Sequence, residues 1–380
     1  MKVLHINCNF IGSRLHRSLI QHLRTLGGEH FVFAPSDGRA LWRDFVPETG
    51  EVVAECYRPR DKYLYFFKQW KIRRSVETHY DLTGFDCLHA YTLFTDGNCA
   101  MTLSRKYGIP YVVAVRNTDV NGFFKRRPLL RKRGVRILRG ASRVFFLSEG
   151  YRRKTIDCYV PPKYRREMEE KSQIVPNGID DFWVENIAPP VPEDKLRSIR
   201  EGRRNLLLVG RVNRWKNPET AVRAARILRG KNLNVHFTLV GYTEDEKMLA
   251  RLREEENFTY LSPMPKEQLI DVYRANDFFV LPSHDETFGL VYPEAMSQGL
   301  PVLYSKNEGF DGNFAAGEVG WPVEFDSAED IAERIEQLAE NYEAVSGRCR
   351  ANTTHFRWQD IARKYTDAYG FITGFGEKTV

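Results

Sequence analysis

Short apolar runs alternate with helical segments along nearly the whole chain, and this constrains the fold more than any other feature of the sequence. "KVLHI" reads as a strand, "SRLHRSLIQHLRTLG" as an amphipathic helix ending at Gly27-Gly28, and "HFVFAP" as the next strand. "FDCLHA", "YVVAV" and "RVFFLS" follow with helical sequence between them. That is the pattern of parallel strands joined by helical crossovers. It fades at "IVPNGIDDFWVENIAPPVPED", where four prolines, an Asn-Gly pair and acidic residues mark a turn and a linker. It then restarts with "NLLLVGRV", a helix through "PETAVRAARILRG", and "NVHFTLVG", "FTYLS" and "DFFVLPS" separated by "KMLARLREEE" and "KEQLIDVYRAN". The last part, from "DIAERIEQL" onward, is almost wholly helical.

At 380 residues the chain exceeds one ordinary core, so the expectation is an α/β protein of two doubly wound, Rossmann-like domains. Their expected boundaries are 1–185 and 195–357, with the helix at 358–380 crossing back to complete the first domain. Ligands of such sheets bind outside the carboxyl ends of the strands, and the cleft between the domains is the expected site.

The net charge of +7 is unevenly spread. Residues 1–180 carry 32 Lys and Arg against 18 Asp and Glu, whereas the rest carries 25 against 32. "FFKRRPLLRKRGVRILRGASR" (123–143) holds nine basic residues and no acidic one, and "KYLYFFKQWKIRRS" (62–75) mixes aromatic and basic side chains. Both stretches suit an anionic surface or a lipid-phosphate-linked acceptor. The blander reading is a basic face on ordinary packed helices. No helix-turn-helix, zinc-knuckle or RRM-like signature supports nucleic-acid binding. "MKVLHINCNF" reads as a first strand and not a secretory signal, and no run approaches a membrane-spanning length. The expectation is a cytoplasmic protein, with peripheral contact at the inner face of the plasma membrane as an option. Cys8, Cys56, Cys87, Cys99, Cys158 and Cys349 have no metal-ligand spacing and are read as reduced thiols; no metal or cofactor is expected. His5, His22, His30 and His89 are read as ordinary core or surface histidines. Neither domain opens with G-x-G-x-x-G, which disfavours a dinucleotide oxidoreductase.

The chemistry concentrates in "HDETFGLVYPEAMSQGLPV". The strand before it ends at Ser283, Glu286 lies in the following loop, and Gly289 lets backbone approach a ligand. A helix is expected from about Leu290 to Gln298, with Pro293 near its start, Gly299 at its end and Pro301 beyond. Its N-terminus suits a phosphate. Two carboxylates beside a phosphate must bind something else, and sugar hydroxyls are the fitting partners. Glu294 can serve a ribose and Glu286 a second sugar, which is the order of parts in a nucleotide sugar. In "LLLVGRVNRWKNPETA", Arg211 and Lys216 follow a strand and could neutralise the leaving diphosphate without a metal. His284, beside the motif, is a further candidate for touching the donor.

These residues carry a resemblance. "VGRVNRWKNPETAVRAARIL" with "LPSHDETFGLVYPEAMSQGLPV" resembles the retaining glycosyltransferases of GT-B fold that bear an E-x7-E motif, the group 1 or family 4 type. "KYGIPYVVAVRNTDV" is similar to that family's strand before an acceptor-side Asp, and "IVPNGID" to its inter-domain turn. The resemblance implies that Glu294 binds ribose, Glu286 the transferred sugar, Arg211 and Lys216 the diphosphate, and Thr287, Phe288, Gly289 and Leu290 the sugar and phosphates. It implies a base contact at Met264, a phosphate-covering loop at Gly12, and acceptor-side roles for Arg116, Asn117 and Asp119, with Asp119 positioning the acceptor. Two departures stand out: the first loop has one glycine where members often have two, and "VRNTDV" lacks the family's His or Gly. The implied activity is sugar transfer from a nucleotide-diphosphate sugar to a glycan or lipid-linked acceptor, as in cell-surface polysaccharide or glycolipid synthesis. A non-hydrolysing nucleotide-sugar epimerase, which needs no acceptor, and a non-catalytic sugar-nucleotide-binding scaffold, which would be expected to have lost a carboxylate or the Arg-Lys pair, are the alternatives.

Overall fold

The computed structural model describes residues 1–12, 14–39 and 45–374. Residues 375–380 of the expected 358–380 segment therefore lie outside the described residues. The chain divides into two compact units, Met1–Leu147 with Tyr151–Gly178 and Trp358–Val380, and Ser148–Gly150 with Ile179–Arg357. The chain changes unit at Gly178–Ile179, ahead of the expected 185, because the start of the presumed linker folds with the second unit. There Asp180 caps the helix Asp181–Glu185 by accepting the Phe182 N–H, and Trp183 is buried edge-on against Tyr273.

The first unit is a seven-stranded, all-parallel sheet of β1 (Lys2–Ile6), β2 (Glu29–Ser36), β3 (Glu51–Glu55), β4 (Cys87–Ala90), β5 (Tyr111–Val115), β6 (Arg143–Phe146) and β7 (Ser172–Ile174). Its spatial order is β3-β2-β1-β4-β5-β6-β7. Every residue of β5 is buried because both faces are covered, which is why the strand reads as an unbroken apolar run. The period of two still sorts the faces. Leu4, Ile6, Val113 and Val115 join one core, while Val3, Val112 and Ala114 join the other. On the second face lie the helix Arg14–Thr25, through Leu19, Ile20 and Leu23, and the returning helix Trp358–Thr373, through Ile361, Ala362 and Tyr365. The return is tight: a Cβ on Gly178 would sit 2.4 Å from the Trp358 ring.

The same face buries a histidine cluster. His5 Nε2 and His30 Nδ1 share a hydrogen bond of 2.9 Å, Tyr91 Oη meets His5 Nδ1 at 3.2 Å, and His89 Nδ1 meets Tyr369 Oη of the returning helix at 2.6 Å. Burial lowers the His16 pKa to about 3 and that of His30 to about 4, and takes His5 and His89 well below the ordinary value. These groups are neutral when folded and take up protons more readily when unfolded, so their contribution is present above pH 6.5 and lost as pH falls. Each is expected to cost up to about 2 kcal/mol by pH 5. The melting temperature should therefore drop steeply between pH 7 and pH 5; a melting temperature flat over that range would contradict the neutral, buried cluster.

The second unit is a six-stranded parallel sheet of β8 (Arg203–Val209), β9 (Asn234–Val240), β10 (Phe258–Leu261), β11 (Phe278–Leu281), β12 (Val302–Ser305) and β13 (Gly320–Val323). The order is β10-β9-β8-β11-β12-β13. Chain connections run outward in opposite directions from β8 and β11, and the loops after these two neighbours open the crevice where such sheets take ligands. No helix of the described residues is long and apolar enough to cross a membrane.

Candidate active site

The loop after β8 holds Arg211 and Lys216, and the loop after β11 holds His284, Glu286 and Thr287. The two loops are fastened by backbone: the His284 N–H donates to the Trp215 carbonyl at 2.8 Å. Asn213 shapes the first loop, its side-chain oxygen accepting the N–H groups of Trp215 and Lys216, both at 3.0 Å. Lys216 then reaches across the crevice, where its Nζ donates to Glu286 Oε2 at 2.6 Å.

Glu286 is only 7% exposed and is held on several sides. Its Oε1 accepts the Thr287 N–H at 3.0 Å and its Oε2 the Ser283 hydroxyl at 3.4 Å. Its own N–H donates to Glu308 Oε2 at 3.0 Å, and its carbonyl accepts the Gly309 N–H at 3.0 Å. A Cβ on Gly309 would lie 2.1 Å from the Thr287 carbonyl oxygen, so only glycine permits this approach of the loop after β12. Gly289 has φ 76 and packs its backbone against the Tyr292 ring, whose hydroxyl donates to the Leu281 carbonyl at 2.8 Å. Phe288 is buried, and Leu290 precedes the helix Val291–Ser297.

Glu294 lies in the first turn of that helix. The Tyr273 hydroxyl donates to its Oε2 at 3.3 Å. Burial, helped by the charge of Asp180, pushes the Glu294 carboxyl up to about 7, against the lowering effect of the Tyr273 bond. The side chain is thus poised between acid and carboxylate at neutral pH. Met264 is half-buried in the loop after β10.

The expected Arg-Lys pair divides. Lys216 belongs to Glu286, whereas Arg211 is mostly exposed and donates to Glu244 Oε1 at 3.0 Å, with Asn213 on the other oxygen of Glu244 at 2.6 Å. His284 turns its ring against Phe325, with centroids 4.5 Å apart. Among the described residues no group of three or more His, Cys, Asp and Glu side chains is placed to hold a metal ion.

In the first unit, Arg116, Asn117 and Asp119 follow β5 and Gly12 lies exposed in the loop after β1. Asp119 is held firmly by backbone. It is 1% exposed and its carboxylate accepts three backbone N–H groups, from Leu93 at 3.0 Å, Phe94 at 3.1 Å and Arg116 at 2.9 Å. It ties the turns after β4 and β5 together as a structural clamp. Arg116 is buried beside it, donating to the Tyr91 carbonyl and the Asn177 side chain, each at 3.3 Å. Asn117 accepts from Asn121 at 3.0 Å. Glu308, Tyr273 and Glu244 are site members that the sequence reading missed. The first signal was the Glu-Gly pair at 308–309 just beyond an apolar run; Tyr273 and Glu244 had none.

The chain matches known families along most of its length. Residues 193–355 match the family model described as glycosyl transferases group 1, and residues 13–181 match that of glycosyltransferase family 4. The chain is 26% identical over 315 residues to the D-inositol 3-phosphate glycosyltransferase of Arthrobacter sp. (strain FB24), covering 75% of this chain and 70% of that one. To its namesake in Paenarthrobacter aurescens it is 25% identical over 305 residues, covering 75% and 72%. Among solved structures, a sucrose-phosphate synthase from Thermosynechococcus elongatus superposes with a TM-score of 0.72 at 19% identity over 99% of this chain and 100% of that one. HepE of Anabaena, solved in complex with UDP-glucose, gives 0.66 at 17% identity over 98% and 100%. These likenesses show the fold: two Rossmann-like α/β domains of the GT-B glycosyltransferase type.

Proposed function

Because the chain belongs to the group 1 glycosyltransferases, we propose that it transfers a sugar from a nucleotide-diphosphate sugar, with retention of anomeric configuration, to a hydroxyl of a glycan or lipid-phosphate-linked acceptor. The observation that carries this is the Lys216–Glu286 pair at the switch between β8 and β11, with Glu294 one helical turn beyond. The donor complex of the similar Anabaena protein and the inositol phosphate named for the Arthrobacter and Paenarthrobacter relatives support a nucleotide-sugar donor and a hydroxylated acceptor.

In this reading Glu294 accepts the ribose hydroxyls and Glu286 those of the transferred sugar. Lys216 shifts from Glu286 toward the diphosphate as the donor enters, with Arg211 beside it. The bond from the anomeric carbon to the phosphate oxygen breaks through an oxocarbenium-like transition state, and the acceptor oxygen bonds to the same face. The leaving phosphate takes the acceptor's proton. The protein's part is orientation and stabilisation of charge on the leaving group, and no step draws on a metal. Work at the inner face of a membrane, in polysaccharide or glycolipid synthesis, completes the proposal.

The test is NMR of the anomeric proton while UDP-, GDP- and ADP-glucose are turned over with and without sugar acceptors. Release of the nucleoside diphosphate with a product of the donor's own anomeric configuration is expected. An inverted product would overturn retention, and an altered sugar without acceptor would favour an epimerase.

A further inference from the structure

The two aromatic and basic stretches, far apart in the chain, converge in the fold. Together they line one groove of about 970 Å³ in the first unit, with residues 62–67 on one wall and residues 126–130 on the other. Of the ten large apolar side chains most exposed among the described residues, five line it, Leu129 at 96%, Tyr63 at 77%, Leu64, Phe66 and Phe67, and a sixth, Trp70, adjoins it. A monomer rarely leaves so much apolar surface in one place without a use for it. The aromatic rings are not loose. Phe67 and Trp70 stack at 5.9 Å, with Lys71 over the first and Arg74 over the second.

We propose that this groove is a docking surface for an anionic lipid bilayer, into which Leu129 and the aromatic wall insert. Charge selects that occupant. Lys62, Lys125, Arg126 and Arg127 are exposed around the apolar centre. The acidic residue next to the wall, Asp61, is buried and bonded to Lys71 at 2.5 Å, so it does not offset them. A second copy docking face to face would set these cations against their own kind. Aliphatic tips such as Leu64 and Leu129 offer nothing for a base to stack on, but they suit an acyl boundary, and exposed Tyr and Trp suit the headgroup level.

The groove also leads somewhere. The Tyr65 hydroxyl donates to the Phe94 carbonyl at 2.7 Å, and Phe123 stacks on Phe94 at 4.6 Å. Phe94 lies in the turn after β4 that Asp119 clamps to the end of β5. A lipid-borne headgroup held in the groove therefore borders the strand ends of the first sheet, where a ligand of such a sheet is expected. The idea relies on the proposed function for the identity of the acceptor and not for the lipid contact itself.

The full chain should be sedimented, without donor, with vesicles of phosphatidylcholine alone and with roughly one third phosphatidylglycerol. Binding to the anionic vesicles only is expected, weakened at least about tenfold by Leu129→Asp with Phe66→Asp and, separately, by Arg126→Gln with Arg127→Gln. All these positions are exposed, so melting temperatures should hold, and hydrolysis of a soluble nucleotide sugar should be unchanged. Equal binding to both vesicle types, no binding, or binding indifferent to either variant would overturn the proposal. So would a concentration-dependent dimer that Leu129→Asp dissolves. Lipid binding with no donor hydrolysis would count against the enzymatic reading alone, and hydrolysis without lipid binding against the docking surface alone.

Discussion

Lys216→Ala is expected to lose turnover by about 10²–10³-fold and to lose stability as well, and adding Glu286→Gln should return the stability but not the turnover. The first effect follows from removing a cation aimed at charge that develops on the leaving diphosphate. The second follows from geometry: Glu286 is buried and its Oε2 stands 2.6 Å from the lysine. Without that partner a carboxylate is left in a site it cannot escape, at a cost of about 3 kcal/mol. The Thr287 N–H and Ser283 hydroxyl still bond it, which keeps the cost at the lower end for a broken buried pair. A glutamine at 286 removes the stranded charge and keeps most of the shape. Arg211 serves as the contrast. Its pair with Glu244 is exposed, so Arg211→Ala should change stability by less than about 1 kcal/mol, and any loss of turnover then reads cleanly as lost contact with the donor. Denaturation curves and diphosphate release on the wild type and these variants check this. Turnover near wild type in Lys216→Ala combined with Arg211→Ala would remove the diphosphate clamp.

Glu294→Gln should weaken nucleotide binding by about 10–100-fold while making the free protein more stable at pH 8. The carboxyl sits where burial has raised its pKa from 4.5 to about 7. A raised folded pKa means that the folded state holds the proton more tightly. The stability this confers is complete below pH 4.5 and is lost as pH rises through 7. At pH 8 the ionised wild type bears that cost, about 1–3 kcal/mol, and the neutral glutamine does not. Binding runs the other way. Ribose hydroxyls donate best to a carboxylate, and bonds to a charged acceptor are worth about 1.5–3 kcal/mol. Wild-type affinity should therefore fall as pH drops below 7, by up to about tenfold per unit, while that of the variant stays level. The residue that makes the free protein less stable is the one that makes it bind.

Much of the fold was legible because β1, β2, β4, β5 and β6 are buried on both faces and so read as apolar runs. Three strands carry no such signal, and a fourth, β12, carries it but is overshadowed by its neighbour in sequence. β3, "EVVAE", sits at the sheet edge between acidic residues, and β7 is only "SQI". β12, "VLYS", was hidden behind the motif, and β13, "GWPV", contains a glycine and a proline that an edge strand tolerates and a sequence pattern does not. In the site, Lys216 and Glu286 could be placed in loops after strands, but nothing local says that they bond to each other. Glu308 reaches Glu286 from another strand's loop, and Tyr273 reaches Glu294 from another helix. Asp119 teaches the opposite lesson. A carboxylate just beyond a strand looks the same in sequence whether it faces a ligand or accepts three backbone N–H groups, and only the folded loop decides between them.

The central claim is that the paired glutamates hold a nucleotide sugar, and titration of UDP-, GDP- and ADP-sugars into wild type and Glu294→Gln at pH 6, 7 and 8 tests it most directly. The account predicts that one nucleotide family binds, that its affinity rises with pH in the wild type, and that both the affinity and its pH dependence are lost in the variant. Binding of equal strength in the two proteins, or no binding by any nucleotide sugar, would mean that Glu286 and Glu294 serve some other ligand.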